Sequence, residues 1–219
     1  MATSTSALDV PVAGLRATST ARLPYQHNVL LRSFLLERPA GNVLVCNSPG
    51  LTADAKAIDD LGGALMLLIN HEHEAMYGAP AGAVPAFVHE RDSASTARQM
   101  QVAGTFDRRQ LLAEDLEAIP TPGHTAGTTS YLWDSGAHRF LFTGDFIWIE
   151  DGQWKAVLLD PDLREQYLDS LALVCDLDFD VLVPWGVSDN GPCFAMTDKG
   201  DTRRRIDAII TRIEAGGDR

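Results

Sequence analysis

Short, fully apolar runs of strand length, separated by segments with helical periodicity, constrain the fold of this chain most strongly. Residues 64–69 (ALMLLI) and 181–186 (VLVPWG) are such runs, which are typical of strands in a sheet covered on both faces. Apolar residues recur at helical spacing over 161–178, and 201–216 is an amphipathic helical segment. Strands that alternate with helices predict a layered α/β domain.

Turn signals locate further strands. The runs 27–37 and 42–47 flank the turn sequence RPAG, and we expect them to form a hairpin. The runs 128–134 and 138–145 flank the turn sequence SGA and predict a second hairpin. A short helix is expected within 48–63, before the next apolar strand begins.

The length of 219 residues suits a single domain. We expect residues 1–10 to form a frayed tail and residues 11–219 to form one domain. The opening residues are small and hydroxylated, without the basic and apolar regions of a secretory signal. No apolar stretch reaches the length of a membrane span.

The acidic charge balance restricts the partners. The formal net charge is −12, which repels polyanions, so we expect neither nucleic acid nor an anionic membrane surface as a partner. The three cysteines show no CxxC spacing and no disulfide framework. These features predict a cytoplasmic protein that acts on a small-molecule substrate.

Four potential metal ligands lie where strands end. His71 and His73 follow the run 64–69, and an extended chain would point both rings the same way. His124 lies in the turn sequence PGHT, and Asp145 ends the run RFLFTGD. Three imidazoles and a carboxylate suit zinc, or ferrous iron where one face stays open.

The order HEHEAM, TPGHTAGT, LFTGD and VLVPWG resembles the metallo-β-lactamase superfamily, which includes glyoxalase II-like thioesterases and lactonases. The resemblance extends from about residue 25 to 190 and implies a four-layer αββα sandwich with metals at one edge of the two sheets. It implies that His71, His73 and His124 form the first metal site. Asp145 matches the carboxylate that bridges two metals in this family.

The second metal site of the family pattern is missing. Ala75, Met76 and Trp185 stand where the family places an aspartate and two histidines. Asn47 and Pro49 replace residues of an Asp-x-Gly pattern that such proteins often carry. We therefore expect a mononuclear site. Met76 and Trp185 either form an apolar wall beside the metal, or Trp185 simply packs in the core.

One zinc per chain would retain hydrolytic chemistry, because three imidazoles lower the pKa of zinc-bound water to about 7. Asp145 is the candidate catalytic residue, either as a fourth ligand or as a base beside the metal. In an extended chain Glu72 and Glu74 would point away from the two histidines, as solvated or supporting residues. Glu74 is also a candidate to replace the aspartate for which Ala75 stands.

The leading hypothesis is a mononuclear metal-dependent hydrolase of a small ester, thioester or lactone. An alternative is an iron site similar to that of persulfide dioxygenases, formed by His71, His124 and Asp145. A third hypothesis is a non-catalytic binding or structural protein that kept the fold.

The loops over the metal edge are expected to set the substrate. These are residues 76–95 and 146–158. The second loop carries Trp148 and Trp154, which are candidates for the pocket or for a dimer contact. A homodimer is a further expectation.

Overall fold

A computed structural model describes residues 8–82, 84–189 and 191–217. The first seven residues of the predicted tail lie outside this range. Asp9 and Val10, which were assigned to the tail, belong instead to a strand. The described residues form three sheets flanked by helices, and strands and helices are numbered separately along the chain.

The first sheet has seven strands in the order β1-β2-β5-β6-β7-β8-β9. Their bounds are β1 Asp9–Val12, β2 Leu15–Ala17, β5 Phe34–Leu36, β6 Val43–Val45, β7 Met66–Leu68, β8 Ala86–His89 and β9 Val102–Phe106. Strands β6 to β9 run parallel to one another, so their carboxyl ends meet at one edge.

The second sheet has six strands in the order β10-β11-β12-β13-β16-β18. Their bounds are β10 Gln110–Ala113, β11 Leu116–Pro120, β12 Thr129–Asp134, β13 Arg139–Gly144, β16 Val181–Pro184 and β18 Ala195–Met196. Strands β13 and β16 are parallel, with Gly144 opposite Pro184. The residues that follow these two strands therefore lie side by side.

The third sheet has five strands in the order β15-β14-β17-β4-β3. Their bounds are β3 Ala21–Leu23, β4 Gln26–Leu31, β14 Trp148–Glu150, β15 Gln153–Lys155 and β17 Gly186–Ser188. The α-helices are α1 Pro49–Ala53, α2 Ala55–Asp60, α3 Glu90–Thr96, α4 Arg164–Asp176 and α5 Lys199–Glu214. Two 3₁₀ helices span Glu72–Tyr77 and Pro161–Leu163.

Period-two side-chain alternation builds the layers. In β6, Val43 and Val45 enter the core between the first two sheets, while Leu44 packs with residues of α1 and α2 on the outer face. In β13, Phe142 enters the central core and Leu141 packs against α4 and α5. Because the side chains of each of these strands pack into a core on either face, the order of layers is helix, sheet, sheet, helix. The predicted αββα sandwich is confirmed.

The first predicted hairpin differs in one respect. The run 27–37, expected as one strand, divides into β4 and β5, which belong to different sheets. The chain changes sheets at Arg32 and Ser33, where the Arg32 N–H donates to the Trp185 carbonyl at 3.3 Å. The Ser33 and Ser48 hydroxyls are hydrogen-bonded at 2.8 Å. Only β5 pairs with β6, in the antiparallel sense that the turn sequence predicts.

Candidate metal centre

The four predicted ligands lie at the ends of strands from both central sheets. His71 follows β7, Asp145 follows β13 directly, and His124 lies in the loop between β11 and β12. The Asn70 side chain bridges the two sheets, because its amide donates to the carbonyl oxygens of Thr129 at 2.8 Å and Phe142 at 3.1 Å. The sandwich thereby brings the distant sequence motifs to a common edge.

The imidazoles of His71, His73 and His124 form a compact cluster. One ring nitrogen of each lies within 4.8 Å of those of the other two. His73 Nδ1 and His124 Nε2 are 3.0 Å apart, and the ring centroids of His71 and His124 are 4.7 Å apart. The structure thus brings together the three histidines that the sequence predicted as ligands.

The His71–His73 segment reaches the cluster through a different backbone conformation from the one expected. Only His71 is extended, and the 3₁₀ helix Glu72–Tyr77 begins directly after it. The Glu74 carboxylate accepts a hydrogen bond from the Asn70 N–H at 2.9 Å, which folds the segment back on the end of β7. The expectation of an extended His-x-His was therefore wrong, although both rings still reach the site.

Glu74 is fully buried, so the expectation that it could be solvated was also wrong. Its second carboxylate oxygen accepts a 2.7 Å hydrogen bond from the Asn47 N–H. Burial raises the pKa of Glu74 well above its usual value, and the Asn47 and Asn70 N–H groups oppose that shift. Glu74 Oε1 lies 3.7 Å from His71 Nε2. Because both oxygens already accept backbone hydrogen bonds, Glu74 supports the His71 segment.

The surroundings of His71 and His124 suit metal ligands. Both ring nitrogens of His71 are buried and have no hydrogen-bond partner among the described residues, which is costly unless a ligand satisfies one of them. His124 Nδ1 lies 2.8 Å from the Val157 carbonyl oxygen. It must therefore donate to that oxygen, which leaves the lone pair of Nε2 facing the cluster.

Burial also keeps these rings neutral. It lowers the pKa of His71 well below its usual value and that of His124 to about 4. Metal ions bind the neutral imidazole, so protons compete weakly for these nitrogens near neutral pH. The residues present therefore fit a divalent metal ion.

Asp145 lies beside the imidazoles and faces the cavity described below. Its Oδ2 atom is 3.8 Å from His124 Nε2 and 3.9 Å from His71 Nε2, and its side chain is 18% exposed. Burial raises the pKa of Asp145 to about 7, while the nearby His73 has the opposite effect. These distances place Asp145 next to the cluster, and its role as ligand or base stays a prediction.

The residues that replace the second-site ligands have distinct surroundings. Ala75 is buried, whereas Met76 is 41% exposed and lines the cavity. Trp185 is buried with its ring edge-on to that of His71, at 5.2 Å between centroids. Its indole N–H donates to the Asn47 carbonyl at 2.9 Å. Met76 thus contributes to the expected apolar wall, while Trp185 packs behind His71.

Asp92 in α3 is a buried positioning residue that sequence reasoning missed. Its Oδ2 accepts hydrogen bonds from the Glu72 N–H at 3.0 Å and the Thr125 hydroxyl at 2.6 Å. Its Oδ1 accepts from the Gly127 N–H at 2.8 Å. One carboxylate therefore ties the segment that carries His73 to the loop that carries His124. In the sequence, an acidic residue in a first helical turn indicates no more than helix capping.

An open cavity of about 380 Å³ leads to the cluster. It is lined by Leu23, Tyr25, Gln26, Val29, Leu31, His73, Met76, His124, Asp145, Trp148, Val157, Leu159 and Gly186. Trp148 lines the cavity as expected, whereas Trp154 is buried with the residues of α4 and α5. The expected loops supply only part of the wall. Residues 23–31, from the β3–β4 hairpin of the third sheet, supply another part, and Leu159 and Gly186 add to it.

Comparisons with known proteins agree with this geometry. The sequence model described as the metallo-beta-lactamase superfamily matches residues 66–187, more than half of the 219 residues. Curated protein sequences give no significant match.

No described helix is both long and apolar enough to cross a membrane.

Many solved structures share the architecture. The metallo-β-lactamase GOB-18 from Elizabethkingia meningoseptica is 16% identical at a TM-score of 0.60, over 86% of this chain and 88% of that one. A metallo-β-lactamase with a HARLDQ motif from Cronobacter sakazakii is 15% identical at 0.63, over 93% and 94%. MEM-A1, a subclass B3 metallo-β-lactamase from a soil metagenome library, is 16% identical at 0.63, over 96% and 95%. At such low identity these likenesses establish the fold alone.

Proposed function

The chain belongs to the metallo-β-lactamase superfamily, and on that premise we propose that it is a mononuclear metal-dependent hydrolase of a small ester, thioester or lactone. The observation that carries the proposal is the convergence of three imidazoles, two of which line an open cavity, with a carboxylate beside them. His71, His73 and His124 would hold the ion. One zinc ion supplies Lewis-acid polarisation of a carbonyl group and an activated water.

The hydrogen-bonded residues beside the cluster support a single metal. Trp185 and Ala75 are buried, and Trp185 is fixed by its bond to the Asn47 carbonyl. Asn47 in turn donates to the carbonyl oxygens of Glu74 and Gly78, at 3.1 and 2.8 Å. Apolar packing and internal hydrogen bonds thus occupy two of the three positions from which the family pattern would supply further ligands, and the third, Met76, presents a thioether to the cavity.

Asp145 is the residue that we propose to move a proton. Its Oδ2 faces both the two imidazole nitrogens and the cavity. A carboxylate in this position would accept a proton from the activated water and pass it to the leaving group. The surrounding apolar wall would exclude bulk water from that exchange.

The test is turnover by the zinc-loaded protein of p-nitrophenyl esters, aryl thioesters and small lactones. We expect measurable kcat/KM for at least one class. Asp145→Asn should lower kcat about 10²–10⁴-fold, the usual contribution of a positioned base, and circular dichroism should show a retained fold. Absence of turnover in all three classes, with zinc verified in the protein, would refute the hydrolase and favour a non-catalytic binding or structural role.

The second candidate is a mononuclear iron site. Asp145 Oδ2 is almost equidistant from His71 Nε2 and His124 Nε2, an arrangement compatible with the two-histidine, one-carboxylate sites of iron oxygenases. Oxygen consumption by the Fe(II)-loaded protein with glutathione persulfide would support that chemistry. No consumption, together with hydrolysis by the zinc form, would exclude it.

A further inference from the structure

The wall of the cavity is apolar beyond the metal centre. Among the described lining residues outside the histidine cluster and Asp145, the side chains are apolar or aromatic except for Gln26, and the phenol of Tyr25 adds a hydroxyl group. The volume of about 380 Å³ lies at the small end of the range for ligand pockets. The space therefore suits a small molecule that buries hydrocarbon.

Apolar side chains also surround the opening. Tyr25 is 67% exposed, Leu159 58% and Met76 41%, and all three line this cavity. Large apolar side chains that gather in an exposed patch indicate a binding surface, whereas the same residues scattered singly need no explanation. The entrance therefore matches the interior in polarity.

Beyond the histidine cluster that would hold the metal ion, the wall offers no cation to an anionic ligand. Among the described residues that line the cavity there is neither lysine nor arginine, and Asp145 contributes the one carboxylate. Arg22 precedes Leu23 in β3, but its guanidinium is paired with Asp189 at 2.8 Å. The formal net charge of −12 adds to the repulsion of anions. A carboxylate in the acyl-chain region would be desolvated without a partner, which is unfavourable.

We propose that this cavity selects an uncharged ester or lactone with an apolar acyl chain and rejects substrates whose chain carries a carboxylate or phosphate. The inference deepens the proposed hydrolase and rests on it for its catalytic consequence. The acyl chain lies along the β3–β4 hairpin and Trp148, and the reacting carbonyl group lies toward the histidines and Asp145.

The first test compares two p-nitrophenyl esters of equal chain length. One is the hexanoate, and the other is the adipate monoester, which ends in a carboxylate far from the reacting bond. We expect kcat/KM for the hexanoate to exceed that for the adipate monoester by at least about tenfold, mainly through KM, because the unpaired charge opposes binding. Equal values would overturn the proposal.

A binding measurement separates this proposal from the hydrolase itself. Isothermal titration calorimetry of the zinc-loaded protein would use 2-heptanone and 5-oxohexane-1-sulfonate. Neither ketone can be hydrolysed, and the sulfonate supplies a negative charge while being a weak zinc ligand. Tighter binding of the neutral ketone, even without turnover of any ester, would support the cavity assignment while the hydrolase fails. Equal binding of both ketones, or no binding of either, would overturn the assignment.

Gln26 permits a test in which a charge of either sign is introduced, because it lines the cavity without being fully buried. Gln26→Lys should raise kcat/KM for the adipate monoester severalfold relative to kcat/KM for the hexanoate. Gln26→Glu is the matched control and should widen the preference for the hexanoate. If both variants keep the wild-type ratio of the two substrates, the acyl chain does not contact this wall and the proposal is wrong.

Discussion

Asp92 provides the sharpest test of how the fold assembles the site. Its carboxylate accepts three hydrogen bonds, from the Glu72 N–H, the Thr125 hydroxyl and the Gly127 N–H. In Asp92→Asn the amide oxygen can retain the two bonds made to Oδ2. The amide nitrogen would then face the Gly127 N–H, so that two donors oppose each other.

The magnitude follows from that loss. A hydrogen bond to a charged group contributes about 1.5–3 kcal/mol, so Asp92→Asn should lower the free energy of unfolding by about that amount. The substitution also loosens the link between the segment of His73 and the loop of His124. Replacement of residues that orient metal ligands typically lowers metal affinity about 10–100-fold, and we expect a loss in that range.

The assay is competition for zinc with a chromophoric chelator, with urea unfolding of the metal-free protein measured in parallel. Asp178→Asn serves as a matched control, because the Asp178 side chain is 83% exposed and should affect neither quantity appreciably. If Asp92→Asn binds zinc within about threefold of the wild type, the role assigned to Asp92 is refuted.

Three further predictions concern the fold and the metal centre. The Arg38 side chain is 4% exposed and pairs with Asp115, whose side chain is 32% exposed. Asp115→Asn should therefore lower the free energy of unfolding at pH 7, measured in urea, by about 2–3 kcal/mol, which is less than for a fully buried pair. The Arg38 hydrogen bond lowers the pKa of Asp115 below 3.8. The stabilisation is therefore present above pH 3.8 and is lost as the pH falls through the folded-state pKa. A stability difference between wild type and Asp115→Asn that is undiminished at pH 2 would contradict this role of the Arg38–Asp115 pair. Trp185→Phe leaves the Asn47 carbonyl without its hydrogen-bond donor and should lower the free energy of unfolding by about 1–3 kcal/mol, measured by calorimetry. The metal content, measured by elemental analysis, should not change. His124→Ala should abolish tight zinc binding in the chelator assay, and undiminished affinity would remove His124 from the ligand set.

The four candidate ligands can be predicted from the sequence because each motif has a local physical signature. His71 and His73 follow an apolar run, His124 lies in a Pro-Gly turn, and Asp145 directly follows a Gly-ended strand. Strand-end positions in a layered α/β fold converge at one edge, so the cluster can be predicted without knowledge of the crossing chain segments. The alternation of residues in β6 and β13 likewise predicts that each strand buries side chains on both faces of its sheet.

The supporting contacts could not be predicted in the same way. Glu74 accepts hydrogen bonds from Asn47 and Asn70, and Asp92 accepts from the loop that follows His124. These pairs depend on which elements the fold places side by side, and no spacing in the sequence encodes them. The β3–β4 hairpin at the cavity is a similar case, because the run 27–37 gives no sign of where the chain changes sheets.

Metal content per chain tests the central claim most directly. The protein would be purified without chelators or nickel affinity, and its metals quantified by elemental mass spectrometry beside His71→Ala. The mononuclear centre predicts about one zinc or iron ion per chain in the wild type, lost in the variant. Two ions per chain would contradict the single site, and a well-folded protein without bound metal would contradict the metal centre itself.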